Sequence, residues 1–256
     1  MKSGSKPSLK PRLALLQYSL GKDPIKNWQK MLPHLQAILK SKPHVVVFPE
    51  MFLGTVTKLS QRRILAKFYH HCEQQLAILA VKHGCCFFYS LLEAQRGKFY
   101  NTAHWMDTTG AVSWSYRKMH LFSYGGETKI YSRGHSLRPF STPFGICGGV
   151  ICYDLRFPEM MRYLAAQGVH LLFVSAQWPQ SRMSHWITLI RARAIENQMF
   201  VVAANRFGTS LIVDPWGDII LELPSTKKYG YAVLDLKYLK SLRRKYPFLK
   251  EKRFFL

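Results

Sequence analysis

The sequence predicts an α/β chain in which layered sheets are covered by helices, and three observations carry that expectation. Short apolar runs without polar alternation, above all the β-branched stretch at 45–48, have the pattern of strands buried on both faces. Between them lie longer stretches with apolar residues at helical spacing. The third observation is size: 256 residues, 48% hydrophobic and 20% charged, are enough for a sizeable core in one large domain.

Taken in order, residues 13–17 form a first strand after a tail ending at Pro11. Residues 23–41 form a helix with Trp28, Leu32, Leu35 and Leu39 on one face. Strand 45–48 runs into Pro49 and Glu50. Ser60 caps a long helix through His83, with Ile64, Phe68, Leu76, Leu79 and Ala80 directed inward. Strands follow at 85–92, 99–107 and 111–117, the last pair joined by a hairpin turn at Thr109 and Gly110. The strand at 144–151 ends at Cys152. Pro158 and Glu159 then open a helix, since proline has φ preset and the glutamate favours the positive end of the helix dipole. The remainder reads as strand 169–175, helix 184–198, and strands 200–205, 210–213, 219–223 and 230–235, with a turn at 215–217.

Composition bounds the function. No run of eighteen apolar residues occurs, and the segment 13–20 is too short and interrupted for a secretory leader, so a cytoplasmic location is expected. Five cysteines without paired zinc-type spacing point to reduced thiols rather than a disulfide framework or metal cage. Thirty-seven Lys and Arg against fourteen Asp and Glu give a net charge of +23, concentrated in basic tails at about 1–11 and 237–256. No nucleic-acid motif accompanies either cluster. A solvated surface that draws in anionic substrates is therefore preferred to a face for nucleic acid or anionic membrane.

Cys152 is the focus. At a strand-to-helix turn its thiol stands above the end of a sheet, near backbone N–H groups not yet committed to the helix. On residue type alone a buried small hydrophobe is the more common fate of a cysteine, and only partners elsewhere in the chain overturn it. A thiol attacking an amide or nitrile carbon needs a base, a cation or N–H group for the oxyanion, and a proton for the leaving amine. Glu50, after a buried strand and before Met51-Phe52-Leu53, suits the base; the alternative is a solvated loop carboxylate. Lys118, in SYRKMHLF, suits the cation; the alternative is one more surface lysine.

Together the segments FPEMF, YRKMHLF and VICYDLRFPE resemble, in order and spacing, the three catalytic segments of the nitrilase superfamily of carbon–nitrogen hydrolases. ETKIYSRG, AQWP, RARAIENQ, AANR and DPWG extend the resemblance over nearly the whole chain, residues 13–235. It implies a four-layer αββα sandwich, paired across a helix layer in a homodimer or larger assembly, and a Glu50-Lys118-Cys152 triad needing neither metal nor organic cofactor. It also implies Glu127 as an additional glutamate that positions the lysine or relays a proton. CYDLRFPE and AQWP are most similar to the omega-amidase branch, which hydrolyses the terminal amide of ω-amides of dicarboxylic keto acids. Tyr153, whose backbone N–H would face the oxyanion, Arg156 and Trp178 are then the substrate-binding candidates. Arg156 meets a substrate carboxylate or pairs with an internal glutamate. A carbamoyl-amine hydrolase, a deaminated-glutathione-type amidase or a true nitrilase would use the same triad, and a non-enzymatic basic binding protein on this scaffold is the remaining alternative. One departure stands out: relatives usually carry a longer segment after the pair equivalent to Asn205-Arg206, which reshapes the mouth of the site.

Overall fold

The computed structural model describes residues 10–55 and 59–253, with the side chains of residues 59–61 and 63 outside it. The N-terminal basic segment 1–9 lies outside the described residues. The first half of the chain contributes β1 (Arg12–Leu16), α1 (Pro24–Lys40), β2 (Val45–Val47), α2 (Leu59–His83), β3 (Cys86–Gln95), β4 (Lys98–Met106) and β5 (Val112–Arg117). The second half adds β6 (Phe140–Thr142), β7 (Gly145–Ile151), α3 (Pro158–Ala166), β8 (Leu171–Ala176), α4 (Met183–Asn197), β9 (Phe200–Asn205), β10 (Ser210–Val213), β11 (Ile219–Leu223), β12 (Tyr229–Val233), α5 (Leu236–Lys245) and the short α6 (Phe248–Glu251).

Two six-stranded sheets result, ordered β12-β1-β2-β3-β4-β5 and β11-β10-β9-β8-β7-β6. Strand alternation sorts their side chains into layers. Leu13, Leu15, Val45, Val47, Phe88 and Trp105 face the second sheet and join Val150, Phe173 and Val202 in one core. Phe173 lies at the centre of that interface, with the rings of Phe88 and Trp105 each 5.3 Å away. The alternate residues Ala14, Leu16, Val46, Phe87 and Tyr89 face outward and pack under α1 and α2. On the far side, Met160, Met161 and Leu164 of α3 and Trp186, Ile190 and Ala194 of α4 cover the second sheet. The αββα sandwich expected from the sequence is thus the observed architecture.

α1 forms where expected because Asp23 accepts from Ile25 N and Lys26 N at 2.9 and 3.3 Å, and Pro24 occupies the first turn. α2 begins at Leu59, so Ser60 lies within its first turn and its side chain is outside the described residues. Its buried face is Tyr69, Cys72, Leu76 and Ala80, whereas Ile64, expected inward, is 71% exposed. The inward face is rotated by one residue at this end: Leu65 and Ala66, beside Ile64, pack partly buried on the core.

Much of the C-terminal basic segment is helical. Residues from Leu236 to Lys245 are the helix α5, capped by Asp235, whose carboxylate accepts from Lys237 N and Tyr238 N. Leu236, Leu239 and Leu242 are buried, and Arg243 donates to the carbonyls of Gln198 and Val169 at 2.9 Å each. Burial pushes the Arg243 pKa down to about 10. No described helix is long and apolar enough to cross a membrane.

Candidate active site

Three strand ends meet between the sheets. β2 runs parallel to β1 and β3, and its continuation, Phe48-Pro49-Glu50, crosses toward the second sheet. There Glu50 N–H donates to Ala176 O at 3.3 Å and Ser175 Oγ donates to Phe48 O at 2.8 Å. Met51, with φ 48°, completes the turn, its N–H held by Ser90 Oγ at 2.9 Å. These bonds place the Glu50 carboxylate in the interior, 3% exposed. Its Oε1 accepts from Asn101 Nδ2 at 2.7 Å and Lys118 Nζ at 2.8 Å, and its Oε2 accepts from Gln177 N–H at 3.0 Å.

Lys118 directly follows β5. Its N–H donates to Asn101 O at 2.9 Å and its carbonyl accepts from Gly134 N–H at 2.9 Å, so both sides of the residue are fixed. The ammonium reaches Glu50 and also Glu127 Oε1, at 2.9 Å. Burial works against the charged lysine, but the carboxylates of Glu50 and Glu127 and the Cys152 sulfur outweigh it, and its pKa is held well above 10.5. Glu127 sits just after Gly126, which takes φ 76° to turn the chain back, and its Oε2 accepts from Phe122 N–H at 2.8 Å. Burial raises the Glu127 pKa, Lys118 lowers it and the nearby Glu50 charge raises it; the net direction is upward.

Cys152 directly follows β7 with φ 46°, a conformation that L-residues seldom adopt. A 3-10 turn, Cys152–Arg156, then leads to α3, so the expected strand-to-helix presentation contains one extra tight turn. Burial and the Glu50 charge push the thiol's pKa well above 9, while the Lys118 charge and the Gln177 N–H pull against them. The Gln177 N–H thus donates to the Glu50 carboxylate and, through its positive end, also favours the thiolate. The four other cysteines are free and buried, and burial pushes Cys72, Cys86 and Cys147 up to about 12.

The thiol opens onto a cleft of about 50 Å³ lined by Phe122, Tyr153, Arg156, Gln177, Trp178, Pro179 and Arg182. All three substrate-binding candidates are on its wall. The Tyr153 ring packs between Phe122 and Phe157, at 5.1 and 5.3 Å. Arg156 lies 4.8 Å above the Trp178 ring and contacts His185 Nδ1 at 3.4 Å; no carboxylate among the described residues pairs with it. Trp178 is 3% exposed and packs at a tilt against Trp186, so its ring is chiefly the platform for Arg156. The short loop after Asn205 is clamped onto the site: Asn205 accepts from Trp178 N–H at 2.7 Å and donates to the carbonyls of Trp178 and Gly208 at 3.1 and 2.8 Å.

Three residues central to this arrangement were not found by sequence reasoning. Asn101 and Gln177 hold Glu50, and Asp154, fully buried, holds the Cys152 turn by accepting from Ile151 N–H, His120 N–H and the Tyr116 hydroxyl at 3.1, 3.0 and 2.9 Å. The available signals were a polar residue inside an otherwise apolar strand at 101 and an acidic residue two places beyond the cysteine at 154.

The carbon-nitrogen hydrolase family model matches residues 12–244. This chain belongs to the carbon-nitrogen hydrolase family. The hydrolase is 33% identical over 213 residues to the 2-oxoglutaramate amidase of Bacillus subtilis strain 168, covering 79% of this chain and 82% of the relative. It is 30% identical over 261 residues to the omega-amidase of Mus musculus, covering 94% and 95%. Among solved structures, Saccharomyces cerevisiae Nit3, a member of branch 10 of the nitrilase superfamily, superposes with a TM-score of 0.86 at 27% identity, covering 99% of this hydrolase and all of that chain.

Proposed function

We propose that this carbon-nitrogen hydrolase cleaves the terminal carboxamide of a small, carboxylate-bearing substrate to the acid and ammonia through a thioester on Cys152. The observation that carries the reading is one buried ammonium, Lys118, held between the carboxylates of Glu50 and Glu127, beside a thiol that opens onto a small cleft. The names of the relatives supply the substrate class. Because burial keeps the Cys152 thiol protonated at neutral pH, the reaction needs an adjacent base. Glu50 takes the proton as sulfur attacks the amide carbonyl, and the oxyanion rests on the Lys118 ammonium and the Tyr153 backbone N–H. The tetrahedral species collapses, the carbon–nitrogen bond breaks, and Glu50 returns the proton to the departing ammonia. Water, deprotonated by the same carboxylate, then attacks the thioester and releases the acid and the thiol. Glu127, on the other side of Lys118, keeps the ammonium oriented.

Two copies pair through the helix layer that exposes Tyr163 of α3 and Ile195 of α4, at 43% and 45%, and the enzyme works in the cytoplasm.

The test is acid quenching during turnover of a panel of amides, carbamoyl amines and nitriles, followed by intact mass. The expected result is an acyl adduct on Cys152 with amides bearing a carboxylate, ammonia as co-product, and neither signal from Cys152→Ala. Undiminished ammonia release by Cys152→Ala ends the proposal.

A further inference from the structure

Two guanidinium groups border the Cys152 cleft, and they are held in opposite ways. Arg156 is engaged: its plane lies over Trp178 and its edge meets His185. Arg182 is fixed only through its backbone. Its N–H donates to Pro179 O at 3.0 Å, and its carbonyl accepts the Trp178 indole N–H at 2.9 Å. The guanidinium itself has no hydrogen bond or ion pair among the described residues. Its one ring contact is Tyr124, at 5.9 Å, the outer edge of cation–π range, and that ring is 87% exposed. The rest of the wall is largely aromatic: Phe122, Tyr153 and Trp178. Arg182 is therefore a positioned, uncommitted cation in an otherwise mostly apolar cleft, and an anionic group entering that cleft gains most by meeting it.

We propose that Arg182 is the specificity-determining residue of this site, receiving the substrate's far carboxylate through its planar fork of donors while the amide end lies at Cys152. The proposal deepens the amidase reading and rests on it. Arg156, anchored to Trp178 and His185, forms the neighbouring wall and adds positive potential, but the fork that is free to close on a carboxylate is that of Arg182. The trace of sequence from Pro179 to Met183 gives the device its rigidity: a 3-10 turn, Gln180–Arg182, starts α4 directly behind it. The Gln180 side chain also ties this turn to the carbonyl of Phe207 in the short loop after Asn205.

The experiment compares a carboxylate-bearing substrate, the monoamide of a five-carbon dicarboxylic acid, with the neutral primary amide of the same chain length. Wild type should favour the charged amide. In Arg182→Gln the ratio of kcat/KM between the two should fall about 10- to 100-fold, chiefly through KM for the charged amide, as expected for loss of a charge-assisted pair. Arg182→Lys should recover part of the ratio, since it restores the charge but not the fork. Equal loss on both amides would mean a structural role and overturn the proposal, as would an unchanged ratio. Binding of the five-carbon dicarboxylate by calorimetry decides independently of turnover. If neither amide is hydrolysed, the amidase reading fails, yet dicarboxylate binding by wild type that is lost in Arg182→Gln still upholds the carboxylate site. Equal or absent binding in both proteins sinks it.

Discussion

Replacing Asp154 by alanine tests the link between the nucleophile's backbone and the rest of the site. The Asp154 carboxylate is fully buried two residues after Cys152. Its Oδ2 accepts from Ile151 N–H at 3.1 Å and the Tyr116 hydroxyl at 2.9 Å; its Oδ1 accepts from His120 N–H at 3.0 Å and lies 3.1 Å from His120 Nδ1. The bonds join the end of β7 to the segment just beyond Lys118, so one carboxylate braces two parts of the site. They also hold Cys152 at φ 46°, a conformation worth roughly 1–3 kcal/mol of strain that persists only when its surroundings enforce it. Alanine leaves Ile151 N–H, His120 N–H and the Tyr116 hydroxyl without their acceptor. At about 1–3 kcal/mol for each unsatisfied buried donor, with some relief from relaxation, the expected destabilisation is about 3–5 kcal/mol. Asp154→Asn keeps the shape and one acceptor oxygen, and should lose about 1–3 kcal/mol. Urea unfolding gives both values from the midpoint shift at constant slope. Ammonia release by the asparagine variant, measured where it is folded, should fall at least about ten-fold, because misplacing the sulfur by an ångström is enough. Alanine substitution with less than about 1 kcal/mol of destabilisation and full ammonia release would refute the brace.

Three other perturbations have definite outcomes. Glu127→Gln removes one of the two carboxylates at Lys118 and should lower ammonia release by about 100-fold or more while circular dichroism stays native; wild-type rates would leave that carboxylate without a role. Alkaline stability follows from Cys72, Cys86 and Cys147, which burial holds at about 12 against about 8.5–9 in the unfolded chain. Between those values the folded state keeps protons that the unfolded state has lost. The contribution is therefore intact below about pH 8.5 and declines on the way to 12, by up to about 1.4 kcal/mol per pH unit for each thiol. Urea midpoints at pH 8 and pH 10 should differ accordingly, and replacing the three by alanine should shrink the difference, leaving the share of Cys85 and Cys152, which burial also raises. Gly149→Ala places a methyl group 2.6 Å from Phe88 and 2.7 Å from Trp114 between the sheets, and should lower stability by about 1–3 kcal/mol, read as a drop in Tm; an unchanged Tm would mean the interface yields.

The strands at 200–205 and 210–213 were legible to the residue because each is a compact apolar run between turn residues and is buried throughout, and the strand at 219–223, though mostly exposed, is marked by the same apolar run after a turn. Where burial is sparse, the same reasoning weakens. α5 carries Lys237, Lys240, Arg243, Arg244 and Lys245, so its composition reads as a solvated tail, yet Leu236, Leu239 and Leu242 at helical spacing and the Asp235 cap are enough to dock it. Arg243 is the plainest case: a cation by composition, but inside the fold its guanidinium satisfies main-chain carbonyls left open at the end of α4 and before β8. β6, three residues long, is defined only by its pairing with β7 and has no pattern of its own.

The site divides along the same line. Glu50, Lys118 and Cys152 each stand where a strand stops, and a strand end is local information. Asn101 and Gln177 lie 51 and 127 residues from the carboxylate they hold, and nothing near them in the chain names their partner. Register supplies it. β7 and β8 run parallel with Ile151 opposite Ser175, so Cys152 and Gln177 leave their strands side by side; β2, crossing from the other sheet, delivers Glu50 N–H to Ala176 O at the same level. A slip of one residue in that pairing would turn the Gln177 N–H away from the Glu50 carboxylate, because successive positions on a strand face opposite ways. The buried runs therefore do more than stabilise the sandwich. By locking register between strands that share no sequence neighbourhood, they set the donor that holds the base beside the turn that carries the nucleophile.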